Sequence, residues 1–163
     1  MTFKLSGQLD DVGDPNLPFK LYESYIQHNK SRFPESVLKI IAHSDWSGGS
    51  QSKAPYYSQL ASFSLTNVGT QAAELKLILT KEMYVEKPFN IEITYVGLFA
   101  LDIPSQQGLS DSNLMWRYEQ FLYFRAGKSS ALRNKFFTHQ IEWTDGTTWS
   151  VTAQEIQAHW NCA

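Results

Sequence analysis

From Leu60 onward apolar and polar residues alternate through most of the chain, and a period of two marks strands with one buried face. Ala61, Phe63 and Leu65 alternate with Ser62 and Ser64. Beyond a turn at Asn67-Val-Gly69-Thr, Ala73, Leu75, Leu77 and Leu79 alternate with Glu74, Lys76, Ile78 and Thr80. Phe89, Ile91, Ile93 and Tyr95 alternate with Asn90, Glu92, Thr94 and Val96. Residues 98–103 continue as a bent strand past Gly97, which marks a bulge or a close backbone approach. Two further runs, 136–143 and 147–151, flank Asp145-Gly146, a pair suited to a tight hairpin turn. Residues 114–125 fit both periods, and their aromatic content favours a strand for the second half. Residues 105–113 are polar and read as loop.

One segment switches to the helical period. Pro34 suits the first helical position, and Glu35 meets the positive end of the helix dipole. Val37, Leu38, Ile41 and Ala42 then make a single stripe. The spacing predicts a helix over about 34–43, with Gly48 and Gly49 as stop signals beyond it. Ile156 and Trp160, four apart, predict a short C-terminal helix within 153–160. The first thirty residues are undecided. Phe3, Leu5 and Leu9 suit an edge strand, and residues 10–18 carry Asp, Asn and Pro turn chemistry. Phe19, Leu21, Tyr22, Tyr25 and Ile26 fit a helix face and a strand alike. One helix followed by many short strands predicts an α+β, β-rich fold, either a mostly antiparallel sheet or a two-layer β-sandwich. The connections between residues 60 and 103 are too short for the crossover helices of a parallel sheet.

Composition narrows this picture. The 163 residues suit one domain, 1–163, and hydrophobic residues at 42% exclude a disordered chain. Only 18% are charged while 14% are aromatic, which again favours sheet. A net charge of −2 disfavours a generally basic nucleic-acid coat. Cys162, the single cysteine, excludes an internal disulfide and a cysteine zinc cluster. No apolar run approaches the roughly 20 residues of a membrane span, and the N-terminus lacks a secretory apolar core, so a cytoplasmic protein is expected.

The residues of catalysis are scattered. His43 and Asp45 are two apart just past the helix, but two ligands do not make a metal site, and a histidine there also suits the last helical carbonyls. His139 and Glu142 are three apart on a strand and therefore point to opposite faces. No G-x-S-x-G elbow is present, and Cys162 is the penultimate residue. Gly127-Lys-Ser looks like the tail of a phosphate-binding loop, but Leu122 stands where its first glycine belongs. Glu82 and Glu86, like Asp10, Asp11 and Asp14, lie in turns rather than facing one another. The expectation is a protein that is not an enzyme and takes no cofactor or metal. The enzymatic alternative is a site assembled from distant residues such as His43, Asp45 and His139.

Charge and aromatic surplus point instead to binding. Acids cluster from Glu82 to Glu119, while Arg117, Arg125, Lys128, Arg133 and Lys135 fall in one stretch among aromatic residues. Five Trp, eight Tyr and ten Phe exceed the needs of one small core, and exposed rings favour interface centres. Trp46 and the pair Tyr56-Tyr57 lie beside glycine or proline, outside the periodic runs. In general build the chain resembles small bacterial immunity proteins: one short domain of mixed helix and sheet, aromatic and slightly acidic. The likeness is one of type and transfers no residue. It implies a non-enzymatic bacterial binding protein that neutralises a cognate toxin, a nuclease being one candidate, encoded by the neighbouring gene. Trp46, Tyr56, Tyr57, Glu82, Glu86, Glu92 and Asp102 are the expected contacts. The alternative is a nucleic-acid-binding module using the basic, aromatic segment 117–137.

Overall fold

The structure, a computed structural model, describes residues 17–46, 53–104, 114–124 and 135–162. The expected edge strand at Phe3, Leu5 and Leu9, the turn residues 10–16, the glycines Gly48 and Gly49, the loops 105–113 and 127–131, and the basic residues Arg125, Lys128 and Arg133 lie outside the described residues.

Two helices come first: α1 (Leu17–His28) and, after a short 3-10 turn, α2 (Glu35–Ala42). Eight strands follow: β1 (Gln59–Thr66), β2 (Glu74–Lys81), β3 (Phe89–Val96), β4 (Ala100–Asp102), β5 (Trp116–Phe124), β6 (Phe136–Trp143), β7 (Thr148–Ala153) and β8 (Glu155–Cys162). They form two antiparallel four-stranded sheets, ordered β1-β2-β3-β8 and β4-β7-β6-β5. The fold is α+β and β-rich, as the alternation predicts, and of the two architectures left open it takes the one with two sheets. The undecided segment after residue 16 is helical, and α2 occupies the predicted position. Asp145-Gly146 makes the β6–β7 hairpin, with Gly146 at φ +86°, a left-handed value that glycine adopts without strain.

The C-terminal helix expected over 153–160 is absent; β8 occupies that stretch and pairs with β3 along its whole length. Ile156 is buried and Ala158 and Trp160 are half-buried, while Gln157 and His159 are exposed, so the segment satisfies the strand period as well as the helical one. An eight-residue helix gains little by itself, whereas β3 offers a full ladder of main-chain partners.

The sheets are joined on two sides. Both β3–β4 and β7–β8 cross from one sheet to the other at the same place. There the Gln154 N–H donates to the carbonyls of Val96 (3.1 Å) and Gly97 (3.2 Å). Gly97 sits at φ +66°, and a Cβ on it would lie 2.9 Å from the Gln154 side chain, so the corner requires glycine. On the other side the Tyr57 N–H donates to Trp116 O and the Trp116 N–H to Ser58 O, both at 2.8 Å, while the Leu60 N–H donates to Leu114 O at 2.9 Å. Between the sheets lie Leu75, Leu77 and Leu79 of β2 and Ile91, Ile93 and Tyr95 of β3. Phe121, Phe137, Ile141, Trp149 and Val151 of the second sheet join them in one buried cluster. Full burial of each such side chain contributes about 1.5–3 kcal/mol. Val37 and Ile40 bring α2 into the same cluster.

Candidate functional site

Residues 53–58 are pinned between the start of β5 and the turn that joins β2 to β3. The Lys81 ammonium donates to Ala54 O at 2.8 Å, and Trp160 Nε1–H donates to Lys53 O at 2.9 Å. Burial pushes the Lys81 pKa down to about 8. On this frame four tyrosine rings form a row. Tyr118 lies 6.3 Å from Tyr56, Tyr56 4.3 Å from Tyr57, and Tyr57 5.5 Å from Tyr84. Tyr57 at φ +61° and Tyr84 at φ +63° are both in the left-handed region. That conformation costs a bulky residue about 1–3 kcal/mol, which the surrounding structure must hold. Met83 and Tyr84 are 46% and 53% exposed. Burial first, then the hydrogen bond to Tyr57 and the nearby Tyr118, pushes the Tyr56 hydroxyl up to about 12. The Arg117 guanidinium lies 5.2 Å from the Tyr118 ring centre and 3.7 Å from Glu142. Glu82 and Glu86, both exposed, flank Tyr84 on its turn. Aromatic faces bordered by carboxylates suit a cationic, arginine-bearing surface, since guanidinium groups stack on rings and pair with carboxylates.

Of the expected contacts, the structure gathers Tyr56, Tyr57, Glu82 and Glu86 at this end of the molecule. Glu92 is elsewhere, on the first sheet and 3.1 Å from Lys76. Asp102 is on β4 in the second sheet, beyond the end of β3 opposite the turn. Trp46 is not a surface contact. Only 5% exposed, it lies edge-on to Trp116 (6.0 Å, 90°) because the chain after α2 folds back over the core. The sequence reading missed Tyr84 and placed Tyr118 only in the segment 117–137 of the nucleic-acid alternative. Tyr84 had a signal, an aromatic ring between two acids in a turn; Tyr118 is hidden inside an aromatic strand.

A second polar group lies inside the fold. Glu119 Oε1 accepts from Trp46 Nε1–H at 3.1 Å, and Glu119 Oε2 is 2.7 Å from His139 Nε2. The other ring nitrogen, Nδ1, is 2.7 Å from the Tyr95 hydroxyl. A carboxylate only accepts, so Nε2 carries a proton toward Glu119 while Nδ1 meets the Tyr95 hydroxyl. His139 is fully buried and stacks on Phe121 at 4.1 Å. Burial, with a further contribution from Glu119, raises the Tyr95 pKa well above the usual phenol value. Every polar atom in this chain of bonds has a partner, and the arrangement fixes one packing of the two sheets. Glu142 points away from it, to Arg117, as the strand period requires. His43 is exposed at the end of α2. It stacks on Trp160 at 4.9 Å and accepts the Asp45 N–H at 3.2 Å, so His43, Asp45 and His139 do not converge.

Among the described residues no group of three or more His, Cys, Asp or Glu is placed to hold a metal ion, and no helix is long and apolar enough to cross a membrane. Comparison with protein-family models, curated proteins and solved structures returns no significant match.

Proposed function

We propose that this protein is a non-enzymatic binding protein whose partner docks on the tyrosine row and the acidic β2–β3 turn. In its sharpest form the proposal is a bacterial immunity protein that acts in the cytoplasm and neutralises a cognate toxin by covering its active site. The observation that carries it is the row Tyr118–Tyr56–Tyr57–Tyr84, two of whose members are held in a costly left-handed conformation. Tyr84 is exposed and Tyr56, Tyr57 and Tyr118 are half-buried, so the strained backbone holds the rings in a partly open row and pre-organises a contact surface. Tyrosines of this kind supply binding energy with little entropy loss. Glu82 and Glu86 beside them favour a basic partner, and a nuclease active site shaped for phosphate is one such surface.

The test is co-expression with the product of the adjacent gene, followed by calorimetric titration. A stable one-to-one complex that Tyr57→Ala weakens about thirtyfold or more is the expected result, the loss of a central aromatic contact. Failure of the two products to associate contradicts the toxin reading. Binding of single-stranded nucleic acid with a steep salt dependence contradicts the protein-partner reading altogether and returns the row, with Arg117, to the nucleic-acid alternative.

A further inference from the structure

The far half of β1 is an open sheet edge. Residues 61–66 are exposed along their length, and β2 is their one sheet partner among the described residues. The Leu60 N–H points away from β2, to Leu114, and Leu60 stands opposite Leu79. Main-chain groups alternate in direction along an antiparallel ladder. The residues opposite Leu77 and Leu75, Phe63 and Leu65, therefore also direct their N–H and C=O outward. Natural edges are blunted by lysine, proline or bulges. Gln59–Thr66 contains no charge and no proline, and its one bulge, between Leu60 and Ser62, lies in the half already tied to residues 114–116. Phe63 and Leu65 lie on the core-facing side of the sheet yet are 36% and 41% exposed.

We propose that β1 pairs with β1 of a second copy of this chain, antiparallel, about a two-fold axis at Ser64. The sequence around Ser64 is self-complementary. Phe63 falls opposite Leu65 of the second copy, and Ser62 opposite Thr66. One face thus joins apolar to apolar residues and the other hydroxyl to hydroxyl, both favourable cross-strand pairs. Phe63 and Leu65, whose main-chain groups point outward, exchange both hydrogen bonds with Leu65 and Phe63 of the other copy. A two-fold axis sets each strand against its own charges, so an uncharged strand is what such pairing needs. Phe63 already lies 5.6 Å from Trp149, and Leu65 of the second copy extends that cluster over its open side. Asn67, at φ +53°, ends the strand and limits the pairing to this short stretch.

Sedimentation velocity of the full chain across micromolar concentrations tests the proposal. Wild type is expected to be a dimer. Ser64→Lys and Ser64→Glu, on the outer face at the axis, each place like charges together and are expected to weaken association about tenfold or more. Mixing the two variants is expected to restore the dimer. Lys76 lies across from Ser64 on β2, so the lysine variant carries an added repulsion within one chain that the glutamate variant lacks. A wild-type chain that stays monomeric overturns the proposal, whatever the variants do. So does a dimer indifferent to charge at position 64, or a mixture that fails to reassociate.

Discussion

Tyr57 and Tyr84 are the residues at which stability and binding part company. Glycine adopts their left-handed φ without a Cβ penalty. Tyr57→Gly is expected to leave the fold as stable or about 1 kcal/mol more stable, measured by urea unfolding, while abolishing the contact ring. A large destabilisation would mean that the ring packs the fold instead of facing a partner. Titratable residues set a second expectation. The Lys81 pKa falls from 10.5 to about 8 through burial, so between those values the unfolded chain binds a proton that the folded chain has released. Stability therefore rises with pH across that window, and Lys81→Met should flatten the rise. Tyr22, Tyr25, Tyr56 and Tyr95 are all raised, chiefly by burial. Their contribution is complete below the ordinary phenol value near 10 and is lost above it, Tyr56 titrating at about 12. The urea midpoint should climb from about pH 8 and fall beyond about pH 10. At this scale Tyr56, Tyr57, Glu82 and Glu86 were legible as single residues, but their grouping with Tyr84 and Tyr118 was not. The bulge between Trp116 and Tyr118 resets the parity of β5, so residue spacing does not reveal that Glu119 meets His139. Nor does a turn sequence such as that around Tyr84 disclose which distant segment its ring will touch.

Among the elements, α1 has a specific task. β5 pairs with β6 on one side, and on the other the Tyr22 hydroxyl accepts the Phe121 N–H at 2.7 Å and the Tyr25 hydroxyl accepts the Tyr123 N–H at 3.1 Å. Two side chains on successive turns of a helix thus cap an edge that would otherwise be open. Tyr22→Phe keeps the ring and strips the acceptor from a buried N–H, at an expected cost of about 1–3 kcal/mol in chemical denaturation. A change under a few tenths would show that water replaces the hydroxyl. Strands β2, β3, β6 and β7 were legible because one face of each is buried and the period survives in the sequence, and β1 because Phe63 and Leu65 keep that period on the core-facing side although they are exposed. β8 was misread because Ile156 and Trp160 satisfy two periods at once, and only its partner β3 decides between them. The helical state of α1 was likewise open, since its apolar positions answer to a strand edge beyond the reach of local pattern.

For the molecule as a whole, the two sheets and the Glu119–His139–Tyr95 bonds make one packed body that holds the tyrosine row at one end and, among the described residues, the open edge of β1 along one side. The antiparallel, β-rich class followed from the every-other-residue pattern, but the division into two sheets did not: the corner at Gly97 and Gln154, which converts the strands into two joined sheets, depends on a close approach that spacing alone does not encode. The central claim is that this body exists to present the row to another protein. The most direct test is a calorimetric titration of the adjacent gene's product with wild type, Tyr57→Ala and a Glu82→Gln/Glu86→Gln double variant. The account predicts tight binding by wild type and a loss of about thirtyfold or more with Tyr57→Ala. The double variant should bind more weakly with a shallower salt dependence. Equal affinity for all three proteins would contradict it.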